Sequence, residues 1–469
     1  MQKENMQEDL ELKDDEQAPL YSAQQSIRHH ISGGNVLIVV TILAFIIANV
    51  PSISGYYFSF WNQEIRLQIG DFNLFSHGGH PMTVLQFIND ALMAIFFFAI
   101  GLEIKREVLV GELSSFKQAL LPIIAAIGGM IVPVAIFLFF GAGTDFAGGA
   151  AIPMATDIAF SLGVLGMLRS RVPISLKVFL TTLAVVDDIG GIIVIAIFYS
   201  SHINVMMLVY AVALLLLLML GSFMKVKSKM FYLIIGIVVW YLFLNSGIHS
   251  TIAGVLVAFC IPSTPVFEPR LYINKIKVAI SHFSSEEDVD LNKRTILSNH
   301  QMDWLKQVES ASDKVISPLQ DLEDTLHPLV NYLIIPLFAF ANAGIVLQGL
   351  DVTTVFSGVS LAIICGLVLG KVLGIFSFSW LAIKMRLAPM PQNSNWKMLV
   401  SVAMLGGIGF TVSMFIANLS FGSAEMGNAE LLSQSKLGIV VGSLLAGLLG
   451  YLLLRLTLPK ADELHEENE

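Results

Sequence analysis

Between residues 203 and 222 the chain reads INVMMLVYAVALLLLLMLGS, twenty residues without a charge. Inside a bilayer each amide must find its partner within its own segment, so a run of this length reads as a membrane-spanning helix. Comparable runs predict spans at about 35–52, 84–103, 118–141, 148–168, 175–199, 203–222, 230–245, 247–262, 328–346, 357–383, 397–418 and 436–456. The composition agrees: only 13% of residues are charged, against about 25% in soluble domains. The expected fold is an all-α polytopic membrane protein with about twelve transmembrane helices.

Basic residues orient these spans. If the spans alternate in direction, all but Arg66, Lys436 and Lys371 of the 27 Lys and Arg fall on one side. Arg66 and Lys436 lie on the other side, and Lys371 inside a span. The positive-inside rule then predicts that both termini are cytoplasmic. The expected organisation is an acidic cytoplasmic tail (1–34) with no secretory signal, spans one to eight (35–262), a cytoplasmic loop (263–327), spans nine to twelve (328–456) and a short cytoplasmic tail (457–469). The loop is mixed in charge, with helix expected near 296–326, and reads as a solvated connector. Around Gly70-Asp71, EIRLQIGDFNLF alternates apolar and polar residues, predicting an external β-hairpin at about 56–80. Its exposed edges would suit pairing in a homodimer, or the segment is a solvated loop. Cys260 and Cys365 both lie in apolar runs and indicate no disulfide framework. With no basic stripe, nucleic acid is not an expected partner; the lipid bilayer is.

Four charges sit where hydrocarbon should surround them: Asp187 and Asp188 in the fifth span, Asp157 in the fourth and Lys371 in the tenth. A charge at the centre of a span costs roughly 3 kcal/mol on insertion scales. Three acids against one base exceed what a structural ion pair needs. Neighbouring residues on a helix point about 100° apart, so one aspartate can meet Lys371 while the other looks into a polar cavity. Surplus negative charge there must be neutralised by a proton or a metal cation, which makes Asp187 and Asp188 the candidate cation ligands. By contrast Asp90, Glu103, Lys105, Arg106 and Glu107 fit an interfacial ion network equally well.

The backbone near these charges is unsuited to continuous helix. Pro153 lacks an amide proton and disfavours helix at Ile152. In the eleventh span, Gly406, Gly407 and Gly409 crowd into LGGIGFT, which reads as a second break or as close helix packing. Spans four and eleven are the middle members of triplets 3–5 and 10–12. Corresponding interruptions of that kind predict inverted repeats with two discontinuous helices and a transport site at the midplane.

ATDIAF, VDDIGG, LFAFANAG (337–344), GKVLG around Lys371 and GGIGFT, with INDALMAIFF and GLEIKRE, together resemble the NhaA family of bacterial Na+/H+ antiporters from about residue 33 to 456. The resemblance implies that Asp187 and Asp188 are the essential aspartates, with Asp188 binding the cation most directly. It implies that Thr156 and Asp157 lie where two unwound helices cross, Asp157 offsetting the positive half-helix ends and Lys371 the negative ones. It also implies a pH response through His249, Glu103, Glu323 and His327. Departures are a longer loop before the ninth span, Asp324 in place of a histidine, Gln320 and Asp321 in place of a basic pair, and Val372 in place of a proline. They bear on the pH set-point and not on the core.

The function expected is exchange of cytoplasmic Na+ or Li+ for external H+, pH-dependent, electrogenic at two protons per Na+, in the bacterial inner membrane, serving sodium and pH homeostasis without a cofactor. Other classes remain open on the residues alone: a cation or bile-acid-type symporter of similar architecture or an inert membrane scaffold, and an intramembrane aspartyl protease using Asp157 with Asp187. The protease leaves Lys371 without a task.

Overall fold

The computed structural model describes residues 33–458 except 70–71, 74, 78–79, 169–170, 201–202, 265–268, 286–298, 347–355, 357 and 423–428. The acidic tail before residue 33 and the Gly70-Asp71 turn therefore lie outside the described residues. The main helices are α1 (Gly33–Asn49), α2 (Pro51–Trp61), α3 (Val84–Val110), α4 (Phe116–Gly141), α5 (Ile158–Gly166), α6 (Ile174–Phe198), α7 (Val205–Phe223) and α8 (Lys229–Leu244). They continue as α9 (Thr251–Cys260), α10 (Pro269–Ser285), α11 (Asn299–Val315), α12 (Pro318–Asn342), α13 (Gly358–Lys384), α14 (Trp396–Leu405), α15 (Phe410–Phe421) and α16 (Ala429–Thr457). Eight helical segments among the described residues are long and apolar enough to cross a membrane, or ten if each of two bent pairs counts as one span. α8 and α9 are shorter apolar helices. The protein is a multi-pass membrane protein, all-helical among the described residues apart from four two-residue strands.

Those strands narrow the expectation for 56–80. Residues 56–61 belong to α2, which turns 111° away from α1 at Pro51. Proline at the first helical position costs no hydrogen bond, so the sequence breaks and restarts there. Beyond α2, β1 (Gln68–Ile69) pairs antiparallel with β2 (Phe72–Asn73), and β3 (Ser76–His77) with β4 (His80–Pro81). The antiparallel pairing expected on either side of residues 70–71 is thus present, in a ladder shorter than 56–80, with a second ladder after it.

A second boundary moves. The helix expected near 296–326 is present in part as α11 and the start of α12, and α12 runs on from Pro318, ten residues before the predicted ninth span, so Glu323 and His327 lie on the spanning helix itself. Ser317 caps it, accepting from the Gln320 N–H at 3.3 Å. Local caps place other starts as well: Thr83 and Gln86 form a capping box for α3, and the Asn395 side chain accepts from Met398 N at 2.9 Å to start α14. Each such cap contributes about 1 kcal/mol.

In lipid, helices associate by close packing rather than by hydrophobic exclusion. The α4–α13 crossing, which carries Lys371, uses glycine for this. A Cβ on Gly370 would lie 2.7 Å from Pro133 Cα, and one on Gly129 would lie 2.9 Å from Ile375 Cγ1. Larger residues would push α13 outward and take Lys371 with it. Just before Lys371 the helix widens to a π-turn over Gly366–Gly370, a deviation frequent at functional sites.

Candidate functional site

Span four does not run through as a helix. Ala147–Gly149 and Ile152–Met154 are single 3-10 turns, residues 155–157 are extended, and helix resumes as α5 at Ile158. Pro153 sits inside the turn before the extended stretch. Across from it, α14 ends at Leu405 and α15 starts at Phe410, bent by 46° over the Gly406–Gly409 stretch. The two breaks meet: the Asp157 N–H donates to the Ile408 carbonyl at 2.6 Å.

Breaking a helix in a bilayer frees backbone groups that water cannot serve. Side chains serve them here. Ser161 Oγ donates to the Leu405 carbonyl (3.0 Å) and Ser413 Oγ to the Ile152 carbonyl (2.7 Å). Ser443 Oγ accepts from Phe410 N at 3.2 Å. The Asp157 carboxylate serves both half-helix N-termini at once. Oδ1 accepts from Phe160 N (3.0 Å), capping α5, while Oδ2 accepts from Thr411 N (3.1 Å) and Thr411 Oγ1 (2.6 Å), capping α15. Two positive helix ends thus converge on one buried anion.

On α6, the adjacent aspartates separate as their helical angles require. Lys371 Nζ lies 2.5 Å from Asp187 Oδ2 and 3.0 Å from Thr156 Oγ1. Thr156 Oγ1 is 2.6 Å from Asp187 Oδ2 and 2.8 Å from the Gly406 carbonyl. Its one proton serves one of these acceptors while its lone pair takes the ammonium. Lys371 is 0% exposed and Asp187 1%. Neither lines the large cavity; Asp188 does.

That cavity measures about 1020 Å³. Its lining includes Gly33 at the start of α1, Met167 after α5 and His327 on α12, together with Asp188, Thr156, Asp157 and Thr411. Asp188 Oδ1 and Asp187 Oδ1 are buried without a hydrogen-bond partner among the described residues. Buried carboxylate oxygens left open are costly and mark a place for a proton or a cation. No group of three or more His, Cys, Asp and Glu side chains forms a metal centre among the described residues. A cation at Asp188 would have to complete its shell with hydroxyl, carbonyl or water oxygens, the ligands that hard cations prefer.

The four residues expected to act together on pH do not sit together. Glu103, Glu323 and His327 line the cavity with Arg106, which donates from Nε to Glu323 Oε1 at 2.8 Å. His249 instead contacts Asp90, with Nε2 3.7 Å from Oδ1, and places Nδ1 2.9 Å from Thr251 Oγ1. Its ring packs edge-on against Phe415.

Several groups here escape a reading of sequence alone. Thr411, Ser161 and Ser413 bond across more than 240 positions of chain. An asparagine chain joins three helices: Asn418 donates to Asn342 Oδ1 (2.8 Å), and Asn342 to Asn89 Oδ1 (2.9 Å). Asn89 and Asn342 stand inside INDALMAIFF and LFAFANAG, so polar residues in apolar motifs were the available signal.

A profile of the family described as Na+/H+ antiporter 1 matches residues 24–454. A Na(+)/H(+) antiporter NhaA of Phocaeicola vulgatus is 54% identical over 444 residues, covering 94% of this chain and 97% of that protein. One of Bacteroides fragilis is 56% identical over 432 residues (92% and 97%), and one of Bacteroides thetaiotaomicron 54% over 431 (92% and 96%).

Proposed function

The chain belongs to the Na+/H+ antiporter 1 family, and on that premise we propose a cycle in which Na+ or Li+ and protons compete for Asp188 and Asp187. The protein exchanges Na+ for H+. The observation that carries the site assignment is Asp188, whose buried, unpartnered Oδ1 accompanies a carboxylate on the wall of the cavity. Na+ enters through that cavity from the cytoplasm and displaces protons. The loaded site then opens outward, releases Na+ and takes up external protons.

Asp187 and Lys371 act as one unit in this scheme. With the cavity empty of cation, the ammonium neutralises Asp187 and Thr156 orients both. When Na+ binds, Asp187 Oδ1 is free to turn toward it, and the second proton leaves from Asp187 or from Lys371. Two protons for one Na+ make the cycle electrogenic, with about 2.3 kcal/mol gained per 100 mV for the surplus charge. Asp157 stays engaged by three donors, two helix-end amides and one hydroxyl, so it fixes the crossing instead of carrying ions. That engagement also disfavours a protease, which needs two free carboxylates facing one water.

The same reading takes α8 and α9 as spans and the bent pairs as single spans, giving twelve, with 3–5 and 10–12 as inverted repeats and Pro153, Gly406, Gly407 and Gly409 as the break points. Both termini then lie in the cytoplasm and the protein in the bacterial inner membrane. Glu103, Glu323 and His327 set the pH response at the cavity mouth, and His249 contributes from its separate contact with Asp90. In this reading the external segment at about 56–80 pairs two copies.

Proteoliposomes holding a preset pH gradient test the cycle. Added Na+ or Li+ should collapse the gradient and K+ should not. Proton movement in the same direction as Na+ would instead indicate symport.

A further inference from the structure

We propose that the α10–α11 segment between α9 and α12 is a membrane-surface module that binds anionic lipid headgroups. The segment was expected to be a solvated connector, and transport does not account for it. Its two helices pack on each other, burying Ala279 and Ala311. Large apolar side chains nevertheless remain exposed on both: Ile273, Val278 and Ile280 on α10, Met302 and Leu305 on α11. α10 contains no acid, and its exposed Lys275 and Lys277 accompany that apolar surface.

Exposed isoleucine beside lysine, on a helix without acids, suits the boundary between headgroups and acyl chains. Lysine stems reach across apolar surface while their ammonium groups meet phosphate. The tether supplies the geometry. α9 ends at Cys260, α12 begins at Pro318, and Leu319 N donates to the Pro262 carbonyl at 3.2 Å. Both ends of the segment are therefore joined where membrane helices end, within reach of the bilayer surface. A lysine near an anionic surface strengthens attachment by about fivefold, so the two together give about twenty-five-fold over zwitterionic lipid.

The test is amide hydrogen exchange on the full-length protein in lipid nanodiscs, one copy per disc, with phosphatidylcholine alone or mixed with phosphatidylglycerol. The expected result is slower exchange across 269–285 in the anionic discs only, reversed by high salt and lost in K275Q/K277Q. Equal exchange in both lipids would overturn the proposal, as would slowing that salt leaves intact. Slowing seen only in discs holding two copies would also overturn it, since a second chain would then be the occupant. None of these readouts depends on transport.

Discussion

Replacing Lys371 by methionine keeps the length of the side chain and removes its charge. Asp187 would then stand 1% exposed, with Thr156 Oγ1 as its only neutral donor at Oδ2 among the described residues. Breaking a buried pair at one partner costs about 3–5 kcal/mol, because the other charge is left uncompensated. Asp187→Asn should cost a similar amount by stranding the ammonium. The double variant D187N/K371M has no stranded charge, so most of the loss should return. A double-mutant cycle by equilibrium unfolding in mixed micelles should give a coupling of at least about 2 kcal/mol. The sign with pH follows from the same charges. In K371M a proton can neutralise Asp187 in place of the ammonium, so the deficit should shrink on acidification. Additive single losses, with coupling under about 0.5 kcal/mol, or a deficit that grows in acid, would refute the buried pair as the organiser of the site.

Asp188→Asn should abolish Na+-driven collapse of the pH gradient while leaving the unfolding midpoint near that of the parent, because no described hydrogen bond is lost. In the parent, the apparent KM for Na+ should rise about tenfold for each pH unit on the acidic limb if one proton competes, and more steeply if two do; a flat KM across that limb would contradict competition. Thr411→Val removes the hydroxyl 2.6 Å from Asp157 Oδ2 and should destabilise by about 1–3 kcal/mol without altering the preference for Na+ over K+, as read by unfolding and by the gradient assay. Gly370→Val should lower transport more than it lowers expression, since its side chain meets Pro133 backbone and must displace the Lys371 helix.

Much of the site was legible because charge in hydrocarbon is conspicuous. Asp157, Asp187, Asp188 and Lys371 announce themselves by cost alone, and the 100° step between neighbours tells that Asp187 and Asp188 must part. The structure places one against Lys371 and the other on the cavity. The breaks were legible for a related reason: Pro153 and the Gly406–Gly409 cluster are local properties of the backbone.

What stayed hidden is either amphipathic or long-range. Residues 318–327 are half polar, so the helix expected near 296–326 reads as part of the connector and not as the start of a span, although Ser317-Pro318 carries a helix-start signal of cap plus proline. α10 is amphipathic and escaped in the same way. α2 was masked by the alternating pattern that follows it, despite Pro51. The bonds from Thr156 to the Gly406 carbonyl and from Asp157 to Thr411 depend on how α5 and α15 cross, which no local pattern encodes. The separation of His249, in the turn between α8 and α9, from Glu103, Glu323 and His327 likewise depends on how distant elements pack.

The most direct measurement is proton release on cation binding. Na+ is added to purified protein in weakly buffered detergent solution, and the pH change is followed with a dye. The account expects Na+ and Li+ to release protons from the parent, K+ to release none, and D188N to release none with any of the three. Sodium binding without proton release at every pH, or undiminished release from D188N, would contradict it.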